Sequence, residues 1–481
     1  MNLLLIHPSK HVLGKRDTLY ARESLTPSLG LAYIAAYCRN NGINVKIIDL
    51  RLSNKSMRDI LDYVKQTRPI VGITAFTNEI TSAGRIAEII KETYPEIWTV
   101  VGGPHSTLIP VETLKEFPGF DAAILGEGEE TLVELLRHLD SGKRDLDRIK
   151  GLAYHKGKDV ILNEKRKALD DLNALPFPAW DSFELEHYTG PFMISSSRGC
   201  PYPCYFCTPS YLGKTRVRDP VNVVDELEHD VRQFGAKSFQ FADATLSLLE
   251  EKAFTLCDEI IKRNLHRSIR WDCETRADKL CFDMLRKMKE AGCNWIALGV
   301  ETGSERILRD VIKKGETKED IKNAVKLIRK AGLKVRCFFI LGHYTETMET
   351  IRESINFALE LNPDALSFGL MVPNPGSKLR ALAEKGKGGL KILHNRWEDY
   401  NQFNYSCFES DSLSLDELKK WQSRAYLTFY SHHPLKGIDL FLDSSGYNYN
   451  LKAFVKVPFM LLGNLLKKGS SQSIPSGRYF E

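Results

Sequence analysis

Three cysteines lie within eight positions near the middle of the chain, in the stretch SSSRGCPYPCYFCTPS at residues 195–210. Cys200, Cys204 and Cys207 have the spacing CxxxCxxC, with Phe206 before the last thiol. A structural zinc site takes four protein ligands and a disulfide takes two thiols, so three clustered thiols leave one metal position unfilled by protein. Three thiolates in one loop hold three irons of a 4Fe-4S cube and leave the fourth iron open to a substrate or cofactor.

A fourth cysteine from elsewhere would close the site as an electron-transfer cluster or a zinc knuckle, which is the alternative. The other cysteines show no ligand spacing and are predicted to be small core side chains: Cys38, Cys257, Cys273, Cys281, Cys293, Cys337 and Cys407. The N-terminal stretch MNLLLIHPSK is predicted to be a first strand and not a signal peptide. Free thiols without an export signal favour a cytoplasmic location.

Composition indicates a globular protein of 481 residues, long enough for two domains and a smaller third region. Hydrophobic residues make up 43% and charged residues 27%, close to the averages for folded proteins. The net charge of +5, from 67 basic and 62 acidic residues, is too small for a nucleic-acid-binding surface. We therefore expect a small molecule, a lipid or a peptide as substrate.

Residues 1–140 alternate short apolar runs with helical periods, which predicts a doubly wound parallel sheet. The predicted strands are 3–7, 45–50, 70–75, 98–103 and 121–126. Such sheets bind ligands where their strands end. Glycines follow the fourth and fifth strands, in GGPHS and GEGEET, but the dinucleotide fingerprint GxGxxG is absent after the first strand. The glycines therefore form either tight turns or a cradle for a different large cofactor.

Residues 141–190 are predicted to be a connector, and residues 191–380 to form a partial (β/α)6 barrel. Its predicted strands are 192–197, 238–243, 269–274, 295–301, 335–342 and 365–371. The cysteine loop directly follows the first of them, at the end where barrels carry their chemistry. Residues 381–481 are predicted to be a mostly helical region over the substrate. Its aromatic residues have two open roles, walls of an apolar pocket or core packing: Trp397, Tyr400, Phe403, Tyr405 and Phe408.

This combination of motif and barrel resembles the radical SAM superfamily, which binds S-adenosylmethionine (SAM) on a 4Fe-4S cluster. Cys200, Cys204 and Cys207 are the implied cluster ligands and catalytic residues, and Phe206, the aromatic residue of the motif, is an implied cofactor-binding residue. Three further segments are similar to the superfamily's SAM-binding motifs, FADATL at 241–246, LGVETGSERIL at 298–308 and FFILGHYTET at 338–347. The resemblance implies SAM contacts from Asp243, Glu301 and Gly342. The turn NPGSKL at 374–379 is similar to the one after the sixth strand.

A doubly wound domain joined to such a barrel, over about residues 1–380, resembles the cobalamin-dependent subgroup. The resemblance implies cobalamin contacts from residues at the strand ends: Ser28, Thr74, Gly102, Gly103, Gly126 and Glu127. His11 stands at the spacing of an axial cobalt ligand, but Ser9 replaces the aspartate that would orient it, which favours a loop role instead. His7 and His105 are expected to line the pocket or cap turns.

The resemblance implies an enzyme that cleaves SAM to a 5′-deoxyadenosyl radical, a chemistry that the cofactors supply. The leading hypothesis is a class B methyltransferase acting on an unactivated carbon or phosphorus. The alternative keeps both cofactors without methyl transfer, as in an anaerobic porphyrin cyclase or a ring-rearranging enzyme. A cobalamin-binding sensor is a remote alternative, and a methylthiotransferase is disfavoured because a second cysteine trio is missing.

The implied partners are a lipid, tetrapyrrole or other small-molecule substrate and a low-potential electron donor such as flavodoxin or ferredoxin. The segment LKAFVKVPFMLLGNLL at 451–466 is too interrupted to span a membrane. It is predicted to be either core structure or a peripheral membrane contact at the C-terminal end.

Overall fold

The apolar runs of the N-terminal half form one sheet of seven strands in the computed structural model, which describes residues 1–9, 25–142, 145–208, 214–402 and 406–437. The strands are β1 (Asn2–His7), β2 (Asn44–Asp49), β3 (Ile70–Thr74), β4 (Thr99–Gly102), β5 (Ala122–Ile124), β6 (Leu152–Lys156) and β7 (Asp159–Leu162). Their order is β2-β1-β3-β4-β5-β6-β7. The pairs among β1 to β5 are parallel, as predicted.

Helices cover both faces of this sheet, since side chains alternate between two separate cores along β1. Leu4 and Ile6 belong to one core, and Leu3 and Leu5 to the other. The helices are α1 (Leu29–Asn40), α2 (Met57–Thr67), α3 (Ile80–Thr93), α4 (Pro104–Leu108), α5 (Pro110–Glu116) and α6 (Gly128–Asp140). Burial on both faces explains why the strands are continuous apolar runs.

The segment predicted to be a connector contributes two strands to the first sheet. β6 pairs antiparallel with β5, and β7 pairs antiparallel with β6. The N-terminal sheet therefore extends to Leu162 and not to residue 140. The hairpin was missed because its strands are short and carry charged residues on an exposed sheet edge.

The second sheet is the predicted partial barrel, with six parallel strands in the order β15-β14-β13-β12-β11-β8. They are β8 (Phe192–Ile194), β11 (Ser238–Phe241), β12 (Arg270–Thr275), β13 (Cys293–Glu301), β14 (Lys334–Leu341) and β15 (Ala365–Leu370). The helices on its outer face are α7 (Pro220–Phe234), α8 (Glu250–Lys262), α9 (Phe282–Glu290), α10 (Lys318–Lys330) and α11 (Met348–Leu361). A separate antiparallel pair, β9 (Ser197–Arg198) and β10 (Arg216–Val217), follows β8.

The C-terminal region closes the open edge of the barrel. Its elements are α12 (Lys378–Glu384), β16 (Leu390–Ile392), β17 (Phe408–Ser410) and α13 (Leu415–His432). The Tyr426 hydroxyl accepts a hydrogen bond from the Phe368 amide at 2.9 Å, and Gln422 Nε2 donates to the Phe368 carbonyl at 2.7 Å. Helix α13 thereby satisfies backbone groups of the edge strand β15.

The C-terminal aromatic residues that the structure describes have packing roles. Trp397 and Tyr400 join a core of the N-terminal domain, and Phe408 joins the barrel core. Trp397 Nε1 donates to Glu116 at 2.9 Å. Phe403, Tyr405, His11 and the segment 451–466 lie outside the described residues. Within the described ranges, no helix combines the length and the apolar character needed to cross a membrane.

Buried polar contacts join the N-terminal domain to the barrel. Trp180 is fully buried and its Nε1 donates to Asp230 Oδ2 at 3.0 Å. Burial raises the pKa of Asp230 to about 7, although this hydrogen bond opposes the rise. Arg218 pairs with Glu226 at 2.7 Å and donates to the Tyr33 hydroxyl at 3.1 Å.

Replacing Trp180 with alanine removes a buried ring and leaves Asp230 without this donor. We expect the free energy of unfolding to fall by about 3 to 5 kcal/mol. Urea denaturation of the purified protein measures this loss. Leu162→Ala, at a side chain that is 50% exposed, is the control and is expected to change stability by less than about 0.5 kcal/mol. Equal losses in the two variants would show that Trp180 does not join the domains.

Candidate active site between the two sheets

The carboxyl ends of both sheets open onto one cavity of ≈690 Å³. The N-terminal sheet contributes Thr74, Gly102 and Gly126 to its wall, while the barrel contributes Cys200 and Asp243. The wall is mostly apolar away from the strand ends. Residues predicted to bind two different cofactors therefore line one shared cavity.

The glycines at the ends of β4 and β5 leave this cavity open. A Cβ atom added at Gly102 or Gly126 would meet no other atom within 4 Å. Gly103 has φ of +104°, and a Cβ there would lie 2.8 Å from the Ala75 carbonyl oxygen, so only glycine suits this turn. Thr107 Oγ1 donates to the Gly103 carbonyl at 2.8 Å and accepts from the Gly126 amide at 3.0 Å. The two glycine turns are thus held side by side.

Of the other predicted cobalamin contacts, some line the cavity and one lies next to a residue that lines it. Gly103 and Glu127 line it together with Thr74. Ser28 caps α1 by accepting from the Leu31 amide at 3.4 Å, and its neighbour Leu29 lines the cavity. Phe76 also lines the cavity and is 55% exposed, an uncommon state for a large aromatic residue. Phe76, two positions after the end of β3, carries no sequence signal that predicts this role.

His7 and His105 are buried and lie outside the cavity wall. His7 Nδ1 donates to the Pro8 carbonyl at 3.0 Å. The His105 ring lies 4.9 Å from the Trp397 ring, centroid to centroid, and burial lowers its pKa to about 4. Burial lowers the pKa of His7 as well, so both rings are packed in their neutral form.

The three predicted cluster ligands carry free thiols on the loop after β8 and β9. Cys200 and Cys207 line the cavity. Burial, together with the neighbouring Cys204 and Cys200, raises the pKa of Cys207 to about 11. Among the described residues, no three His, Cys, Asp or Glu side chains converge as a site for one metal ion. Three separate thiols on one loop suit a cubane, in which each thiolate binds its own iron.

Aromatic side chains anchor the cysteine loop to the barrel. The Tyr205 hydroxyl lies 3.1 Å from His343 Nδ1 and accepts from the Tyr344 amide at 3.0 Å. The Phe206 ring packs on the barrel core, 5.9 Å from the His343 ring between centroids. Burial lowers the pKa of His343 to about 4, so this ring is neutral at neutral pH. The structure thus gives Phe206 an anchoring position in the loop.

Two buried cations beside the cysteine loop were not predicted. The Arg276 guanidinium carbon lies 3.6 Å from the centroid of the Tyr202 ring. Arg276 Nη2 donates to the Lys314 carbonyl at 2.8 Å, and Lys314 Nζ lies 2.9 Å from Glu316. Burial raises the pKa of Cys204, and Lys314 opposes that rise. The cations therefore favour thiolates in this loop. Arg276 directly follows β12, and Lys314 lies beyond the end of β13. Neither residue belongs to a predicted SAM-binding motif.

Glu301, a predicted SAM contact, ends β13 in a strained conformation. Its φ of +66° lies in the left-handed region, which costs an ordinary residue about 1 kcal/mol or more. Its carboxylate lies 3.6 Å from Lys314 Nζ, and burial raises its pKa although Lys314 opposes the rise. The structure places this carboxylate beside the cysteine loop but not in the cavity wall.

Asp243, a second predicted SAM contact, lines the cavity and fixes the turn before the cysteines. Its carboxylate accepts from the Ser196 amide at 3.0 Å and from the Ser196 hydroxyl at 2.8 Å. The Ser197 hydroxyl donates to it as well. Burial raises its pKa despite these donors. Its contact with SAM stays a prediction.

Gly342, the third predicted SAM contact, has φ of +96° after β14, and a Cβ there would lie 3.1 Å from Leu418 Cδ1. Its amide donates to Glu346, which also accepts from the His343 amide at 3.0 Å. Burial raises the pKa of Glu346 to about 7. Glu346 thus fixes the turn from which Gly342 is predicted to contact SAM. Glu346 lies in the predicted SAM-binding segment 338–347, but its type and spacing do not by themselves predict this role.

The cysteines outside the loop are core side chains with one exception. Cys257, Cys273 and Cys293 lie in the core of the barrel wall, although they are well separated in sequence. Burial raises the pKa of Cys257 and of Cys293 well above the usual thiol value. Cys281 is only half-buried and packs against this core from its edge.

Two sequence families match the two halves of the chain. Residues 16–136 match the B12 binding domain, and residues 194–358 match the Radical SAM superfamily. An uncharacterized methyltransferase of Pyrococcus horikoshii is 32% identical over 437 residues, covering 89% of this chain and 92% of its own. The anaerobic magnesium-protoporphyrin IX monomethyl ester cyclase of Rubrivivax gelatinosus is 31% identical over 477 residues, covering 95% and 83%.

The fold matches a solved structure of the radical S-adenosylmethionine methyltransferase TsrM from Kitasatospora setae with cobalamin and a [4Fe-4S] cluster bound. The TM-score is 0.71 at 20% identity, covering 89% of this chain and 88% of that one. Fold and site thus define a radical SAM enzyme with an attached B12 domain. The chain belongs to the cobalamin-dependent radical SAM enzymes, and its cofactors are a 4Fe-4S cluster, SAM and cobalamin.

Cys204→Ala is expected to lose the cluster, since two thiolates cannot hold three corners of the cube. Iron analysis and the visible absorption of protein assembled without oxygen measure this loss, and we expect most of the iron to be absent. Cys281→Ala is the matched control, because its half-buried thiol lies outside the cysteine loop. Full iron content in Cys204→Ala, or equal loss in both variants, would contradict the assignment.

Proposed function

We propose that the enzyme is a class B methyltransferase that methylates an unactivated carbon or phosphorus of a small molecule. The observation that carries this proposal is the single cavity, which Cys200 and Cys207 line from one side and Gly102 and Gly126 from the other. A substrate in this space is within reach of both cofactor sites. When bound, the SAM-cluster pair supplies the 5′-deoxyadenosyl radical, and cobalamin supplies the methyl group.

The chain's own residues bind the cofactors and exclude water. The three thiols would hold the cluster, and the raised pKa values of Cys204 and Cys207 mean that loading the iron would release protons. Asp243 and Tyr205 hold the cysteine loop against the barrel at both of its sides. The apolar cavity wall keeps water away from a reactive radical.

The substrate class that we favour is a large, mostly apolar small molecule such as a tetrapyrrole. The mostly apolar wall and the similarity to the Rubrivivax gelatinosus cyclase support this choice. We also propose flavodoxin or ferredoxin as the electron donor, because reductive cleavage of SAM needs a low-potential electron. The other substrate class that we propose is a lipid. In that case the C-terminal segment 451–466 contacts the membrane surface.

A second candidate function is an oxidative cyclase without methyl transfer. The cyclase relative is 31% identical to this chain, and the methyltransferase relative is 32% identical. Sequence identity alone therefore does not distinguish the two candidate functions. Both candidates use the same cavity and the same three cofactors. They differ in whether the methyl group of SAM appears in the product.

We expect the loaded enzyme to transfer label from methyl-deuterated SAM to a product. The assay combines cluster-loaded protein, hydroxocobalamin, a low-potential reductant and small molecules extracted from cells, and mass spectrometry follows the label. Cys204→Ala is the control and should form neither labelled product nor 5′-deoxyadenosine. Formation of 5′-deoxyadenosine without label in any product would favour the cyclase. Absence of both in the unaltered enzyme would contradict either function.

A further inference from the structure

The cysteine loop has two ends that meet each other. Arg198, two positions before Cys200, pairs in antiparallel register with Arg216, and Ser197 pairs with Val217. The segment with all three cysteines therefore leaves and rejoins the barrel at one place. The position of this short ladder sets the position of the loop.

A carboxylate of the other domain binds both ends of this loop. Arg198 Nη1 lies 2.9 Å from Glu127 Oε1, and Arg216 Nη1 lies 2.7 Å from Glu127 Oε2. The Leu169 amide donates to Glu127 Oε2 at 2.8 Å. Arg198 also pairs with Glu129 at 2.9 Å. The Glu127 side chain is 5% exposed, so these contacts are shielded from water.

The electrostatics keep Glu127 ionised. Burial alone would raise its pKa, but the hydrogen bonds from Arg216 and Arg198 outweigh burial and lower the pKa below its usual value. Both carboxylate oxygens are engaged by the barrel and by Leu169. In the structure these oxygens contact the two ends of the cysteine loop and the Leu169 amide, and the contact of Glu127 with cobalamin stays a prediction.

Glu127 also belongs to the wall of the cobalamin side of the cavity. It follows Gly126 at the end of β5 and occupies the N-cap position of α6. Any displacement of this turn would displace Glu127 and, through the two ion pairs, Arg198 and Arg216. Buried ion pairs transmit such shifts because breaking one partner leaves an uncompensated charge.

We propose that Glu127 is a positioning residue that couples cobalamin binding to the iron-sulfur loop. Cobalamin in the cavity fixes the turn at Gly126, and Glu127 then holds both ends of the cysteine loop in the geometry that the cluster needs. Because coupling free energies are reciprocal, the cluster must tighten cobalamin binding by the same factor. The inference rests on the two-cofactor assignment and not on methyl transfer, so a failed methyl assay leaves its test intact.

The test compares the dissociation constant of hydroxocobalamin for full-length protein with and without its cluster, by optical titration under anaerobic conditions. For the unaltered protein we expect cluster loading to tighten binding about tenfold, a usual size for such coupling. In Glu127→Gln, which keeps the shape and removes the charge, we expect this ratio to fall to about one. Glu130→Gln is the matched control. Glu130 lies on the same helix, is 40% exposed and is 3.5 Å from Arg166.

Three outcomes would overturn the proposal. The unaltered protein shows no difference between its two forms, or Glu127→Gln keeps the full ratio, or Glu127→Gln weakens binding equally in both forms, which would make Glu127 a direct cobalamin ligand. If Glu127→Gln does not fold, Arg216→Gln replaces it, because it leaves the pairs of Arg198 with Glu127 and Glu129 in place. That variant must also lower the ratio, and an unchanged ratio would contradict the coupling.

Discussion

The structure depends on one constraint, that parallel strands gather their functional loops at a single edge of a sheet. Two such edges face each other here across one cavity of ≈690 Å³. Each sheet alone would present an open cleft to water. Together they form the two walls of a mostly apolar cavity, with the predicted cluster ligands on one wall and glycine turns on the other.

The relative position of the two edges is held by buried polar contacts and not by apolar packing alone. Arg218 joins Glu226 to the Tyr33 hydroxyl, and burial raises the pKa of Glu226 to about 7 although Arg218 opposes the rise. Such contacts add little net stability, because desolvation offsets much of the attraction. They do require one geometry, since a misplaced partner leaves a buried charge without compensation. The domain interface therefore depends on the orientation of these polar side chains as well as on the burial of apolar surface.

The sequence predicted those features that have a local signal. Apolar runs identified the strands of both parallel sheets, and CxxxCxxC identified the cluster loop before any contact was known. Contacts between distant residues have no such signal. Arg276 reaches Tyr202 from the end of another strand, and Glu127 reaches Arg216 from another domain. The sequence therefore carried no sign of the contacts that Glu127 makes with the ends of the cysteine loop.

The central claim is that cluster and cobalamin occupy one shared cavity, and magnetic resonance tests it most directly. The measurement is the spin relaxation of bound cob(II)alamin in protein whose cluster is reduced, compared with protein whose cluster is oxidised. A reduced cluster across the same cavity is predicted to speed the relaxation of cob(II)alamin, and Cys204→Ala protein is predicted to lose this effect. Relaxation that does not respond to the cluster's oxidation state would contradict the shared site.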